Sequence, residues 1–391
     1  MKQVFAERMA LLGTETAFEV LARAKKLEAQ GKDIVHLEIG EPDFNTPQNI
    51  IDAACLALAN GYTHYTPAPG LQEVRETIAE YIIRHKNVEV SAENVVIVPG
   101  GKPIMFFSIL ATVNPGDEVI YPNPGFPIYE SVIRFAGGKP VPIPLREENQ
   151  FRLDVNELAQ LITPHTKMLI INSPGNPTGG VLTDKDIEAI ADLVRGKEIL
   201  VLSDEIYDRI VYGDTRPLSI ASLPGMKDWT IILDGFSKTF AMTGWRLGYG
   251  VMHPEIADRL AQLMVNSNSC TSAFTQMAGK EALTGPQADV ERMVAEFKKR
   301  RDLIVKGLNS IPGITCLAPE GSFYVFPNIK SFAKNCKEVA DYLLNNAGVA
   351  CLGGTAFGSY GEGYLRLSYA NSTENIQKAL ERIETALGKL R

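Results

Sequence analysis

Short apolar runs alternate along the chain with segments whose apolar residues recur at helical spacing. The runs predict buried strands, which cover residues 34–39, 95–98, 119–121, 167–171, 198–202, 230–233, 322–326 and 364–369. The periodic segments predict helices, which cover residues 17–29, 48–59, 71–82, 104–113, 187–194, 290–308, 334–346 and 372–388. Strands that alternate with helices through the middle of the chain are typical of a parallel α/β sheet.

Two of these helices also carry capping signals. Thr46 and Pro47 predict an N-cap and a first-turn proline for the helix at 48–59. Asn371 and Glu374 predict a capping pair for the last helix. Both signals place the helix start where the apolar periodicity begins.

Three central strands end at regular intervals. Asn172, Ser203 and Asp234 are each separated by 31 residues, which indicates successive βαβ units rather than a sequence repeat. In open α/β sheets, ligands bind beyond the carboxyl ends of the strands. Polar residues follow these three strands at that edge, namely Asn176, Asp204, Tyr207, Ser237, Lys238 and Arg246. A purely structural role would scatter such residues, so their coincidence predicts a functional site.

The segment around Lys238 suggests the chemistry of that site. Ile231–Leu233 reads as a buried strand, Ser237 precedes the lysine, and Arg246 follows it by eight residues. A lysine between a hydroxyl and a guanidinium, just beyond a buried strand, is suited to form an imine beside an anion site. Taken alone, a Ser-Lys pair is more often an ordinary solvated loop.

A second anion site is predicted where the strand at 95–98 feeds a glycine turn. Gly100, Gly101 and Lys102 open the next helix, and the free N–H groups of a helix start attract anions. The turn matches neither of the glycine motifs that bind dinucleotides or nucleoside triphosphates. A tight turn that needs glycine for its backbone explains the pattern equally well when it is taken alone.

Composition narrows the class of protein. The 391 residues predict one large and one smaller domain. With 39 basic and 46 acidic residues the net charge is −7, which argues against a nucleic acid or an anionic membrane as a general partner. The five cysteines and five histidines form no disulfide or metal-ligand pattern, so no metal is expected. The N-terminal residues do not resemble a signal peptide, and no apolar run has transmembrane length, so we expect a cytoplasmic protein.

An arginine lies within the last predicted strand. On the strand at 364–369, Arg366 shares a face with Tyr364 and Ser368, opposite the leucines. A guanidinium among apolar residues is costly to bury without a partner, so we expect a carboxylate to pair with it. The strand alone does not decide whether that carboxylate belongs to the protein or to a substrate.

Six motifs then carry a resemblance to a known family. In chain order they are Gly40-Glu41-Pro42-Asp43-Phe44, Ser173-Pro174-Gly175-Asn176-Pro177-Thr178-Gly179, Ser203-Asp204-Glu205-Ile206-Tyr207, Ser237-Lys238, Gly244-Trp245-Arg246-Leu247-Gly248 and Arg366-Leu367-Ser368. The chain resembles the class I/II aminotransferases of fold type I, which use pyridoxal 5′-phosphate and include aspartate aminotransferase. The resemblance implies an α/β fold whose large domain has a mostly parallel central sheet between helices. The large domain is expected at 46–289, and a smaller α+β domain, formed by 1–45 and 290–391, is expected to close over the site.

The resemblance also implies roles for the residues that bind the ring of the cofactor. Lys238 links to the aldehyde and moves the proton of the substrate Cα, Asp204 pairs with the pyridine nitrogen, and Tyr207 and Asn176 hydrogen-bond the ring hydroxyl. These roles make Lys238, Asp204 and Tyr207 the catalytic residues. Phe126 stacks on the ring, where many members of the family carry tryptophan or tyrosine.

The phosphate and the substrate have implied partners as well. The amides of Gly101 and Lys102, together with Ser237 and Arg246, hold the phosphate, although many relatives carry serine or threonine in this turn. Further implied contacts are Tyr65 of a neighbouring subunit on the phosphate, which requires a homodimer, and Arg366 on the substrate α-carboxylate beside Asn176 and the Gly40 backbone.

The reaction implied is a ping-pong transfer of an amino group between an L-amino acid and a 2-oxo acid. Aspartate with 2-oxoglutarate is the default pair, and alanine, aromatic or other neutral amino acids are the alternative. A dicarboxylate needs a second cation, for which Lys102, Arg23 and arginines of a neighbouring subunit are the candidates. A pyridoxal-phosphate-dependent C–S lyase shares the same lysine chemistry and stays open. A DNA-binding regulator related to this family would carry an appended basic segment, and a nicotinamide dehydrogenase would carry the glycine fingerprint. The sequence contains neither feature.

Overall fold

The computed structural model describes residues 4–213 and 217–390. Its strands, in chain order, are β1 (Val35–His36), β2 (Val95–Val98), β3 (Glu118–Asn123), β4 (Lys139–Pro144), β5 (Thr166–Asn172), β6 (Leu200–Asp204), β7 (Thr230–Gly235), β8 (Gly248–Val251), β9 (Tyr324–Val325), β10 (Val349–Ala350), β11 (Leu352–Gly353) and β12 (Leu365–Ser368). The α-helices are α1 (Thr16–Glu28), α2 (Gln48–Ala59), α3 (Gln72–Lys86), α4 (Lys102–Thr112), α5 (Ile128–Phe135), α6 (Val155–Leu161), α7 (Asp184–Val194), α8 (Pro254–Ser267), α9 (Ala273–Thr284), α10 (Ala288–Ser310), α11 (Cys336–Tyr342) and α12 (Thr373–Leu387).

Seven strands form the central sheet, in the order β2-β8-β7-β6-β5-β3-β4. Strand β8 is antiparallel to both of its neighbours, and the remaining pairs are parallel. The predicted α/β fold with a mostly parallel sheet is therefore confirmed. The apolar pattern missed β4 because every second residue of that strand is proline, which a sheet accepts at its edge, where β4 lies.

Helices cover both faces of this sheet. Successive residues of a strand point to opposite faces. Val95 and Ile97 of β2 therefore pack with residues of α2, α3 and α9, whereas Val96 and Val98 pack with residues of α4, α5 and α8. The strands are buried on both sides, which explains why they read as continuous apolar runs in the sequence.

The rest of the chain forms smaller sheets beside the central one. Strands β1 and β10 pair in parallel, and β11-β12-β9 form an antiparallel sheet of three strands. Helix α10 packs on this part through an aromatic cluster of Phe297, Phe323, Tyr324 and Tyr369. Long-range packing of these rings fixes strands of only two to four residues, which local periodicity overestimates in length.

Both capping predictions are wrong by one residue. Helix α2 begins after Pro47, and the Thr46 hydroxyl instead donates to the carbonyl oxygen of Ala241 at 2.7 Å. At α12 the cap is Ser372, whose hydroxyl accepts the N–H of Asn375 at 3.1 Å. In both places the residue expected to cap the helix has a different hydrogen-bond partner.

Close contact between β8 and the start of α4 predicts a sensitive position. An added Cβ at Gly248 would lie 2.5 Å from the amide nitrogen of Gly101, whereas one at Gly244 would meet nothing within 4 Å. We expect Gly248→Ala to lower the free energy of unfolding by about 2 kcal/mol through overpacking, and Gly244→Ala to change it by less than about 0.5 kcal/mol. Urea titration of both variants measures the difference, and equal stabilities would contradict this account of the contact.

Candidate active site

A cavity of about 500 Å³ opens at the carboxyl ends of β5, β6 and β7. This is the edge where the sequence predicts a functional site. The predicted site residues that line the cavity are Gly40, Gly101, Lys102, Phe126, Asn176, Asp204, Tyr207, Ser237, Lys238, Arg246 and Arg366. Tyr65 lies outside it with 91% of its surface exposed, so its role toward a neighbouring subunit stays a prediction.

Asp204, the last residue of β6, is a buried carboxylate that lines the cavity. Its carboxylate accepts the hydroxyl of Tyr129 at 2.5 Å and the N–H of Ile206 at 3.3 Å. Burial raises the pKa of Asp204 to about 6, while these two hydrogen bonds and the ammonium of Lys238 oppose the rise. A buried carboxylate that is ionised near neutral pH attracts a protonated ring nitrogen.

Lys238 follows β7 and is partly buried on the same cavity. Its amine donates to the carbonyl oxygen of Gly40 at 2.5 Å. Burial lowers the pKa of Lys238 to about 8, and the nearby guanidinium groups of Arg366 and Arg246 lower it as well, against the opposing charge of Glu41. At pH 7 roughly a tenth of this lysine is therefore a neutral amine, which is the nucleophilic form, and this fraction is far larger than for an ordinary lysine.

The start of α4 and Arg246 form an anion site at one side of the cavity. Gly101 occupies the N-cap position, so the first N–H groups of the helix have no side-chain cap. The guanidinium of Arg246 packs against Gly100, where any Cβ would collide with it. Ser237 lines the same part of the cavity. Free amides, a hydroxyl and a guanidinium together suit a phosphate.

Arg366 is buried on β12, with 3% of its surface exposed. It donates to the backbone carbonyl of Glu38 and, at 3.5 Å, to the side-chain oxygen of Asn176, and it lies over the ring of Tyr324. Its Nε has no hydrogen-bond partner among the residues that the structure describes. Within the described residues no carboxylate forms an ion pair with Arg366, so the carboxylate partner expected from the sequence is not supplied by this part of the chain. A buried guanidinium with an unused donor is suited to bind the carboxylate of a substrate.

Three residues of the site escaped the sequence analysis. Tyr129 holds Asp204, the Tyr324 hydroxyl lies 2.8 Å from that of Tyr207, and Asn172 accepts the N–H of Asn176 at 2.9 Å. Tyr129 and Tyr324 are far along the chain from the residues they contact and belong to no motif. Asn172, the last residue of β5, was recognised from the sequence as a strand end but was given no role in the site.

The entrance of the cavity carries a charge pair. Lys102 binds the carboxylate of Glu15, and its amine lies 5.5 Å from the centre of the Phe126 ring. Arg23, another cation considered from the sequence, pairs instead with Asp341 at 2.6 Å and does not line the cavity. Of the two cations of this chain that the sequence suggested for a distal carboxylate, only Lys102 lies at the entrance of the cavity.

Two features are absent from residues 4–213 and 217–390: a metal site and a membrane-spanning helix. No group of histidine, cysteine, aspartate or glutamate residues in these ranges is arranged to hold a metal ion. None of the helices that the structure describes is long and apolar enough to cross a membrane.

Comparison with known proteins gives a consistent result. The family model described as aminotransferase class I and II matches residues 32–383. An aspartate aminotransferase of Pyrococcus abyssi is 44% identical over 359 residues, which cover 91% of this chain and 92% of that protein. Aromatic-amino-acid aminotransferase 2 of Thermococcus litoralis is 42% identical over 363 residues, or 92% of this chain and 93% of that protein.

A solved structure agrees with these matches. Aspartate aminotransferase from Thermus thermophilus with maleate superposes with a TM-score of 0.94 at 37% identity, covering 98% of this chain and 100% of that one. The match confirms fold type I, and the family resemblance found in the six sequence motifs is confirmed over nearly the whole chain. The chain belongs to the class I and II aminotransferases.

Proposed function

We propose that this aminotransferase uses pyridoxal 5′-phosphate to move an amino group between an L-amino acid and a 2-oxo acid in a ping-pong reaction. One observation carries the proposal: a partly buried lysine, a buried aspartate and a buried arginine, whose Nε has no partner among the described residues, all face one cavity. Family membership supports the cofactor and the reaction class.

The residues of the cavity fit this cofactor. Asp204 suits the pyridine nitrogen, the start of α4 with Arg246 suits the phosphate, and Lys238 lies on the same cavity as both. Pyridoxal 5′-phosphate, when bound, supplies an aldehyde that accepts the amine and a protonated ring that withdraws electrons from the substrate Cα. Phe126 and Tyr207 also line the cavity, where a flat ring needs an aromatic neighbour and a hydrogen-bond donor for its hydroxyl.

The side chains of this protein then divide the work. Lys238 provides the neutral amine that binds the aldehyde and takes the proton from the substrate Cα. Asp204, ionised above a pH of about 6, keeps the ring nitrogen protonated. Arg366 holds the α-carboxylate, with Asn176 and the carbonyl of Gly40 beside it, and thereby aims the Cα at Lys238.

Larger features of the enzyme are part of the same proposal. We divide the chain into a large domain at 46–289 and a small domain at 1–45 and 290–391, which closes over the substrate and excludes water. The cavity supports this division because Gly40 and Arg366 come from the small domain, whereas Asp204 and Lys238 come from the large one. We further propose a homodimer in which Tyr65 reaches the phosphate bound by its neighbour. The enzyme is proposed to work in the cytoplasm.

Aspartate with 2-oxoglutarate is the substrate pair that we propose. Lys102 at the entrance supports a dicarboxylate because its ammonium, once released from Glu15, is free to pair with a distal carboxylate. Two of the similar proteins are named for aspartate. Aromatic amino acids are the second candidate, since another similar protein is an aromatic-amino-acid aminotransferase, and Phe126 lies 5.5 Å from Lys102 at this entrance.

The pKa of Lys238 predicts how its reactivity depends on pH. Since only the neutral amine reacts and the pKa is lowered to about 8, trapping of Lys238 by pyridoxal 5′-phosphate and borohydride should rise with pH and level off above about 8. Peptide mass spectrometry at several pH values measures the labelled fraction. Lys238→Ala should lose both the label and turnover. A rate that keeps climbing beyond pH 10, or label retained in the variant, would show that this amine is not the reactive one.

Arg366 should act on substrate affinity and leave cofactor binding intact. We expect Arg366→Ala to lower kcat/KM for amino acids by roughly 100-fold, chiefly through KM, because a charge-assisted bidentate contact is lost. Arg366→Lys should recover little, since a lysine cannot reproduce the planar fork. Steady-state kinetics and dialysis of the cofactor measure both effects. Loss of cofactor with unchanged KM would contradict the assignment to the substrate carboxylate.

Lys102 and Glu15 give the test of substrate choice. Lys102→Met should raise KM for aspartate by about fivefold and leave KM for alanine within about twofold, as expected for a partly exposed ion pair. Glu15→Gln should have the opposite effect on aspartate because it releases the lysine. Half-reaction rates over a panel of acidic, aromatic and small amino acids complete the measurement. Equal effects on aspartate and alanine would favour a neutral substrate.

A single turnover without acceptor separates transfer from lyase activity. A transferase releases one equivalent of 2-oxo acid per site and then stops, because the amino group stays on the enzyme. A C–S lyase that acts on cysteine-like substrates continues and releases pyruvate with ammonia. Quantifying 2-oxo acid and ammonia over time distinguishes the two, and continuous ammonia release would overturn the proposed reaction.

A further inference from the structure

A buried lysine lies behind the strand ends that carry the active site. Lys86 is the last residue of α3, and only 4% of its side-chain surface is exposed. Its amine contacts three carboxylates, those of Asp208 at 2.5 Å, Glu205 at 2.7 Å and Asp234 at 3.3 Å. Burial lowers the pKa of Lys86, but the three carboxylates outweigh burial and raise it well above its ordinary value. The amine therefore stays charged.

Neighbouring elements complete this cluster. The second oxygen of Glu205 accepts the hydroxyls of Ser203 and Ser219, at 2.8 and 2.7 Å. Asp234 accepts the hydroxyl of Tyr249 at 3.0 Å. The remaining groups that face the cluster are Arg209 and Tyr81, which hydrogen-bond each other at 3.3 Å. The cluster thus sets two cations, Lys86 and Arg209, against three carboxylates.

The cluster and the cavity lie on opposite faces of the sheet. Ser203 and Glu205 hydrogen-bond each other on the face covered by α3, so Asp204 between them points to the other face, toward the cavity. In the turn after β6, Tyr207 likewise lines the cavity, whereas its neighbour Asp208 contacts Lys86. Two of the residues that Lys86 binds, Glu205 and Asp208, thus directly follow the two ring-binding residues, Asp204 and Tyr207.

We propose that Lys86 is a positioning residue for the reaction: by neutralising Glu205 and Asp208 and fixing their turn, it keeps Asp204 ionised and directed at the ring nitrogen of the cofactor. This inference rests on the proposed function, since it assumes that Asp204 pairs with that nitrogen. No motif of the sequence contains Lys86, and it does not touch the cavity.

The charges around Asp204 support this role. Burial raises the pKa of Asp204 to about 6, and the negative charge of Glu205 raises it as well. Burial and Asp208 raise the pKa of Asp234 to about 7, and Lys86 opposes that rise. Without Lys86, the negative charge of Glu205 next to Asp204 would be left without its cation, and this would favour the protonated form of Asp204.

Variants of opposite sign test the inference. Lys86→Met removes the cation and should raise the titration midpoint of Asp204 by about one unit. Glu205→Gln removes the neighbouring negative charge while keeping a group that can accept the Ser203 and Ser219 hydroxyls, so it should lower the midpoint. Lys86→Arg keeps the charge and should stay near the parent value. The midpoint is read from the carboxyl ¹³C resonance of Asp204 in the full chain labelled with ¹³C-aspartate, assigned with Asp204→Asn.

Cofactor affinity gives a second readout. Lys86→Met should raise the Kd for pyridoxal 5′-phosphate several-fold at pH 6.5 and by less at pH 8.5, because only the ionised carboxylate holds the protonated ring. Equilibrium dialysis at both pH values measures it. Ile78→Ala, in the same helix and fully buried, serves as the control for lost stability and should lower Tm without moving the midpoint.

The outcomes separate this inference from the proposed function. Opposite shifts for Lys86→Met and Glu205→Gln support the role of Lys86, and an unchanged midpoint in both overturns it. In Glu205→Gln, Lys86 keeps its ion pairs with Asp208 and Asp234. This variant therefore decides alone if Lys86→Met does not fold. A parent protein that neither binds pyridoxal 5′-phosphate nor transfers amino groups overturns the proposed function instead, whatever the midpoints show.

Discussion

The energetic cost of removing charged groups from water governs this structure. Asp204 and Arg366 are buried around one cavity and Lys238 is partly buried there, and the loss of water shifts the pKa of each toward its neutral form. The same cost that would destabilise an ordinary core keeps the lysine close to its nucleophilic form. It also leaves the arginine with an unused donor, which a substrate carboxylate can satisfy.

The geometry of a parallel sheet helps to offset the cost of burying these charged groups. Three neighbouring strands end at one edge, so residues distant in sequence converge there without loops of unusual length. The backbone groups and hydroxyls at the edge supply hydrogen bonds, as Tyr129 does for Asp204 and the Gly40 carbonyl does for Lys238. On the opposite face, Lys86 balances the carboxylates that the same strands carry. Both faces of the sheet thus take part in holding one ionised aspartate.

The floor and the entrance of the cavity differ in how exposed their charged groups are. The floor is built from Asp204, Lys238 and Arg366, which are held by hydrogen bonds to Tyr129, to the Gly40 carbonyl and to the Glu38 carbonyl. At the entrance, Lys102 and Glu15 are partly exposed, and the weak energy of such a pair allows it to open for a substrate. We therefore propose that the residues of the floor carry out amino-group transfer, whereas Lys102 and Glu15 at the entrance determine the choice among amino acids.

The sequence by itself determined the order of the central strands and helices, the residues that follow each strand, and through them the family and the chemistry. These features are local: buried strands read as apolar runs, Asp204 ends β6, and Asn176 and Lys238 follow within a few residues of β5 and β7. Local patterns failed where neighbours distant in the chain decide. The proline-rich edge strand β4 and the two misplaced helix caps are examples.

Only the tertiary structure decided what surrounds each functional group. Tyr129 reaches Asp204 across 75 residues, Tyr324 reaches Tyr207 across 117, and Lys86 reaches Glu205 across 119. Hydrophobic periodicity records which face of an element is buried but not which distant side chain packs against it. The pKa of a buried group depends on those distant partners, and for that reason the sequence could name the reactive lysine and aspartate but not the groups that set their charge.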